Sequence, residues 1–159
     1  EKQGLLESGH QTLARETMLK PNQIGMALAK VKGVHAMTDV TGFGLAGHLT
    51  EVCQASGVAA RIDFRRLPRL AEAEAYRRRG AVPGGTHRNR NALGAALKDM
   101  DEPHWQWLCD PQTSGGLLLS VHPSWEDDVE RIGREHGIEL VPFGEMVKAE
   151  GQALIEVRG

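Results

Sequence analysis

Three short stretches hold the residues of this chain whose types and spacing suit chemistry. The first runs Met37-Thr-Asp-Val-Thr-Gly-Phe-Gly-Leu45. Its carboxylate, Asp39, precedes two glycines, Gly42 and Gly44, that permit a tight turn into a helix. Backbone N–H groups at a helix start lack partners within the helix, so such a turn suits a phosphate. A hard cation such as Mg2+ takes one or two carboxylates and fills its other positions with water and phosphate oxygens, which makes Asp39 a candidate metal ligand. An aspartate at this place equally serves as an N-cap or turn residue, and spacing alone leaves the two roles open.

The second stretch is Cys109-Asp-Pro-Gln-Thr-Ser-Gly-Gly-Leu117. Thr-Ser-Gly-Gly ahead of an apolar strand permits an anion-binding nest, or else a structural entry into a crowded sheet. It has neither the lysine nor the spacing of a Walker A loop. The third is Ala81-Val-Pro-Gly-Gly-Thr-His-Arg-Asn89. Here Pro-Gly-Gly turns the chain, Thr86 stands where a helix cap would, and Arg88 and Asn89 fall in the first turn. A cation there is misplaced by about 0.3–1 kcal/mol unless an anion lies near.

Other constellations are missing. The seven histidines are scattered, with no His-Glu-x-x-His pair and no Gly-x-Ser-x-Gly elbow. Cys53 and Cys109 have no metal or redox spacing and read as reduced, buried thiols. Trp105 and Trp107 read as packing anchors.

The elements that must position these stretches follow from periodicity. Helices are predicted over roughly 8–19 and 22–31, with Pro21 between them and Gly33 as a stop. Val34–Val40 reads as a strand and Leu45–Cys53 as a helix closed by Gly57. Val58, Ala60, Ile62 and Phe64 alternate with polar or small residues, the pattern of a half-buried strand. Helices over 69–79 and 87–99 are expected. Leu117–Val121 is too apolar to alternate, which predicts a central strand covered on both faces. Ser124, with Asp127 three residues on, has capping-box spacing for a helix striped by Trp125, Val129 and Ile132 and ended by Gly137. Strands near 138–147 and 153–157 finish the chain. The expected fold is α/β or α+β, a layered single domain over 1–159 with a mixed β-sheet covered by helices.

Composition is that of an ordinary soluble protein, 40% hydrophobic and 25% charged, and no apolar run approaches the ~20 residues of a membrane span. A cytoplasmic location without membrane contact is expected. The chain opens at Glu1 rather than Met, which reads as a boundary inside a longer protein. Its net charge of −2 hides an asymmetry: residues 61–90 hold nine arginines against Asp63, Glu72 and Glu74. Such a segment suits polyphosphate, nucleic acid or an acidic partner, or else a solvated helix face. No aromatics interleave with the arginines as in a single-strand platform, so nucleic acid is not the expected partner.

Read together and in order, His35-Ala-Met-Thr-Asp-Val-Thr-Gly-Phe-Gly-Leu45, Gly80-Ala-Val-Pro-Gly-Gly-Thr86 and Leu108-Cys-Asp-Pro-Gln-Thr-Ser-Gly-Gly-Leu-Leu-Leu119 resemble the C-terminal half of bacterial selenophosphate synthetases. The likeness runs across nearly the whole chain. It implies the reaction of ATP, selenide and water to selenophosphate, AMP and orthophosphate. It implies a fold like the C-terminal domain of aminoimidazole ribonucleotide synthetase, partly ferredoxin-like. The family's catalytic cysteine or selenocysteine, its adjacent lysine and most of its metal-binding aspartates belong to an N-terminal domain, so no catalytic or nucleotide-contacting residue is assigned within this chain. Asp39 is similar to the carboxylate that this half contributes to Mg2+. The resemblance further implies the chain's own N-terminal domain as partner, a homodimer at full length, and ATP and selenide as substrates. Two alternatives stand beside it. One is another ATP-dependent enzyme of the same superfamily; the other is a non-catalytic binding or assembly module acting through the arginine-rich segment 61–90.

Overall fold

The computed structural model describes residues 3–97 and 99–159. The chain begins with a 3-10 turn at Ser8–His10, then two short helices, α1 (Leu13–Met18) and α2 (Gly25–Leu28). Both are shorter than their periodicity predicts. Neither has a side-chain cap, and α1 buries no residue, so little beyond intrinsic propensity extends it.

Strand β1 (Val34–Asp39) leads through the glycine turn into helix α3 (Gly44–Ser56), which ends as expected at Gly57. Gly57 adopts the left-handed conformation (φ 66°), and its N–H closes onto the carbonyls of Cys53 and Gln54. Strand β2 (Val58–Asp63) follows, then α4 (Ala73–Arg78), α5 (Gly84–Leu93) and α6 (Glu102–Leu108). Periodicity missed α6. Its start is nonetheless well marked: the Asp101 carboxylate accepts from the His104 N–H at 3.1 Å, and Pro103 sits in the first turn. Strand β3 (Leu117–Val121), helix α7 (Glu126–Glu135) and strands β4 (Gly144–Lys148) and β5 (Ile155–Arg158) complete the order.

The expected mixed sheet is the three-stranded one, ordered β4-β2-β5, with β4 antiparallel and β5 parallel to β2. A separate antiparallel ladder joins β1 to β3, placing Asp39 opposite Leu117 and Val34 opposite Val121. Strand β3 is therefore not central; among the described residues it pairs with β1 alone. It is covered on both faces all the same, which explains its unbroken apolar run. Leu118 joins a core built from Leu45, Ala46, Leu49 and Cys53 of α3 with Ala60, Ile62 and Ile155 of the mixed sheet. Leu117, Leu119 and Val121 turn to a second cluster made by Ile24, Leu28, Val129 and Ile132, which lies under α2 and α7. Helix α3 thus sits between the two sheets, and its first turn is held from both.

Ser124 does not cap α7. The His122 ring nitrogen Nδ1 accepts the Ser124 N–H at 3.2 Å and starts a 3-10 turn at Pro123–Trp125 instead. That turn seats Trp125 directly on Gly33, where any Cβ would overlap the Trp125 side chain. Helix α7 then carries Glu126, Asp127 and Asp128 in its first turn and Arg134 in its last, as its dipole favours.

Candidate functional site

The three stretches meet at the start of α3. Thr41 O accepts two N–H groups, from Gly44 and from Gln112, each at 3.0 Å, so the first and second stretches are tied through one carbonyl. The Val40 N–H donates to Gly116 O at 2.9 Å and extends the β1–β3 ladder by one step. From the third stretch, Asn89 Nδ2 donates to Gly42 O at 2.9 Å and to Cys109 O at 3.0 Å. One amide nitrogen therefore bridges the other two turns.

Close approach explains the glycines. Gly44 has φ 69°, and a Cβ there would sit 2.8 Å from Leu108 O and 2.9 Å from Asp110 O. Gly85 lies against Pro111, whose Cγ would be 2.8 Å from its Cβ. A Cβ on Gly115 would run into the Val40 carbonyl. Ser114 takes a left-handed conformation (φ 54°) to complete the second turn, and Asn22 Nδ2 donates to Gly115 O at 2.9 Å from outside.

Asp39 ends β1 and is exposed. It is not the N-cap of α3; Phe43 holds that position, and no side chain caps the helix. Among the described residues the Asp39 carboxylate enters no hydrogen bond or ion pair, and no three His, Cys, Asp or Glu side chains lie together as a ready-made metal set. One free, hard carboxylate fits Mg2+ as a single ligand and not as a whole site.

Two buried groups nearby take states that the sequence reading did not anticipate. Asp110 is mostly withdrawn from water, and burial pushes its carboxyl up to about 6, with the Thr86 hydroxyl offsetting part of the rise. Thr86 lies inside α5 rather than capping it, is fully buried, and makes no well-formed hydrogen bond. Cys109 is also fully buried, and its thiol is raised to about 11 by burial, so it is no nucleophile at neutral pH. Cys53 is buried too, with its thiol pushed up by the same cause. Nothing local signals the Asp110 environment or the Asn89 bridge; both depend on which segments pack together.

The arginine-rich segment is largely consumed by carboxylates of the same chain. Glu74 takes Arg77 at 2.8 Å and Arg78 at 2.7 Å, and Arg79 reaches Glu7 at 3.3 Å. Arg61 lies between Glu145 (2.8 Å) and Glu156 (2.9 Å) on the sheet face, and Arg65 pairs with Asp63 at 3.3 Å. Arg69 stacks its guanidinium 4.5 Å from the Phe64 ring centre and 5.4 Å from that of Trp107.

Residues 1–156 match the family described as AIR synthase related protein, C-terminal domain. The chain belongs to that family. Within this AIR synthase related C-terminal domain, identity to curated proteins runs end to end. A protein of Photorhabdus laumondii named selenide, water dikinase is 52% identical over 158 residues, which cover 99% of this chain and 46% of that protein. One of the same name from Escherichia coli is 50% identical over 159 residues, with the same coverage. The chain spans about half the length of the curated relatives it matches. The crystal structure of a thiamine-monophosphate kinase from Stenotrophomonas maltophilia superposes with TM-score 0.59 at 20% identity, covering 99% of this chain and 44% of that one. At that identity the likeness shows a shared mixed α/β fold. Among the described residues no helix is long and apolar enough to cross a membrane.

Proposed function

We propose that the chain is the C-terminal half of a selenide, water dikinase, where it supplies Asp39 to magnesium and a wall to the ATP site. The observation that carries this reading is the 50–52% identity to selenide, water dikinases along 99% of the chain. The convergence of all three motif stretches on the start of α3 supports it. The whole enzyme would convert ATP, selenide and water to selenophosphate, AMP and orthophosphate, with an N-terminal domain holding the nucleophile and the other metal ligands, and two copies forming a dimer. Magnesium would supply charge neutralisation of the ATP phosphates during transfer.

The residues of this chain divide the remaining work. Asp39, unpaired and exposed, offers its carboxylate without breaking an internal contact. Gly42 leaves open space where a Cβ would stand, so a phosphate can approach the backbone at that point of the turn. Asn89 and the Thr41 carbonyl hold that turn in register with the Pro111–Gly116 turn. Asp110, whose carboxyl burial raises to about 6, carries its full charge only above that pH.

In the full-length enzyme, Asp39→Ala should lower turnover about 100-fold or more, the upper range for loss of groups around a metal. Its thermal unfolding should match the parent, because the side chain holds nothing in place. Near-parent turnover at saturating ATP would refute the metal role. The separate chain should bind magnesium weakly and leave ATP intact; steady ATP hydrolysis by it would refute the division of labour between the two halves.

A further inference from the structure

Arg69 stands outside the pairing that absorbs its neighbours. Among the described residues it meets no carboxylate and donates no hydrogen bond. Its guanidinium lies over the Phe64 ring at 4.5 Å and the Trp107 ring at 5.4 Å. A stacked guanidinium gives its flat faces to the rings and keeps its N–H donors at the rim, where a carboxylate can take two of them in parallel. The platform is itself held. Trp107 Nε1 donates to Glu74 Oε2 at 3.2 Å, which fixes the indole on which Arg69 rests.

Glu74 lines the same cleft, yet it has nothing left to offer Arg69. Its Oε2 accepts from Arg77 Nε at 2.8 Å as well as from the indole, and its Oε1 accepts from Arg77 Nη2 at 3.0 Å and Arg78 Nε at 2.7 Å. These donors fill the roughly four lone-pair sites of an ionised carboxylate. Hydrogen bonds, that of Arg77 foremost, hold Glu74 at about 2, so it keeps its charge at neutral pH.

The surroundings say what Arg69 would meet. Leu67, Arg69, Leu70, Ala71, Glu74 and Trp107 line one open cleft of about 300 Å3. That is near the lower limit for a small-molecule pocket, so a single short side chain or a small acid fits it. Leu70 is 39% exposed, and with Leu67 and Ala71 it makes part of the lining apolar. None of the six belongs to the three glycine-turn stretches. We propose that this cleft binds an apolar monocarboxylate, with Arg69 taking the carboxylate and Leu67 and Leu70 taking the hydrocarbon. Charge favours a carboxylate over a phosphate. One free guanidinium balances one negative charge, whereas a phosphate monoester carries about −1.5 to −2 at pH 7 and would set the excess beside ionised Glu74. A free branched-chain acid and the C-terminal residue of a polypeptide present this same chemistry.

The test uses the 159-residue chain and nitrogen-15 NMR. N-acetyl-leucine should shift the Trp107 indole N–H and Arg69 Nε–H signals along a saturable curve, and the uncharged N-acetyl-leucinamide should leave both in place. Arg69→Gln, at an exposed position, should weaken the curve read at Trp107 about tenfold, the worth of a hydrogen bond to a charged group. Arg69→Lys should weaken it nearly as much, because an ammonium has no fork. Leu70→Asn spares the guanidinium and should also weaken it. A curve for 4-methylpentanoate equal to that of N-acetyl-leucine assigns free acids as the ligand; a curve for N-acetyl-leucine alone assigns a chain end. No saturable shift with either acid, or an unchanged curve in Arg69→Gln, overturns the site. Equal binding of the amide, or tighter binding of isobutyl phosphate, overturns the carboxylate assignment.

Discussion

The glycine-turn junction and the arginine-rich segment each contain one strongly shifted carboxyl group, and the shifts run in opposite directions. At the junction, burial raises Asp110 to about 6. In the segment, hydrogen bonds from Arg77 first, then Arg78 and the Trp107 ring N–H, hold Glu74 at about 2 against its partial burial. The first region buries Asp110 and commits its hydrogen bonds to main-chain carbonyls. The second stays wetter and meets Arg61, Arg65, Arg77, Arg78 and Arg79 with carboxylates of the same chain. Density of charge therefore marks a self-satisfied surface here, and density of glycine marks the place where three distant segments close on one another.

Four substitutions would break or sharpen this contrast. Gly44→Ala at the junction combines a left-handed backbone with overlap on the Leu108 and Asp110 carbonyls, and should cost about 3 kcal/mol or more in urea unfolding. A cost below that of an ordinary surface change would mean that the junction yields. Asn89→Ala removes two donated hydrogen bonds and leaves two carbonyls short of a partner, for about 2 kcal/mol in the same measurement.

Asp110→Asn should stabilise. The folded carboxyl is raised from 3.8 to about 6, so the fold resists its ionisation. The parent loses stability as pH rises across that window and bears the whole cost above it. The variant should gain on the order of 1–2 kcal/mol at pH 7.5, with the gain gone near pH 3.8. Urea midpoints at the two pH values decide it; a gain that persists at the lower pH would rule out burial of charge as its source.

Glu74→Gln is the smallest effect. The carboxylate is 34% exposed, so solvent screens its pairs and the loss should be about 0.5–1 kcal/mol at pH 7. Its folded value is depressed from 4.5 to about 2, so the parent's advantage is complete above 4.5 and should fade as pH falls through that window. A loss as large as that of Asn89→Ala would erase the contrast between the regions.

Local features were legible wherever a residue's neighbours in sequence decide its state. The β2 alternation, the Gly57 stop and the apolar β3 stand as expected, and so does the mixed α/β class. What failed depends on partners. Strand β3 was expected at the centre of a sheet because burial on both faces usually means that; here α2 and α7 supply one face and α3 the other, and two strands suffice. Ser124 lost its capping role to His122 because Trp125 seats on Gly33 and sets the turn. Asn89 was noticed only as a helix-start residue, since its two acceptors lie 47 and 20 positions away.

Three glycine-shaped turns, a carboxylate at the end of a strand and the family likeness were determined by the sequence alone, because turn chemistry and motif order are properties of adjacent residues. Tertiary structure decided the rest: that the turns close on one point through Asn89, that Asp39 stands free while burial raises Asp110, and that the Thr41 hydroxyl meets His48. Exclusion of water and the arrival of a distant donor are sums over groups that only packing brings together.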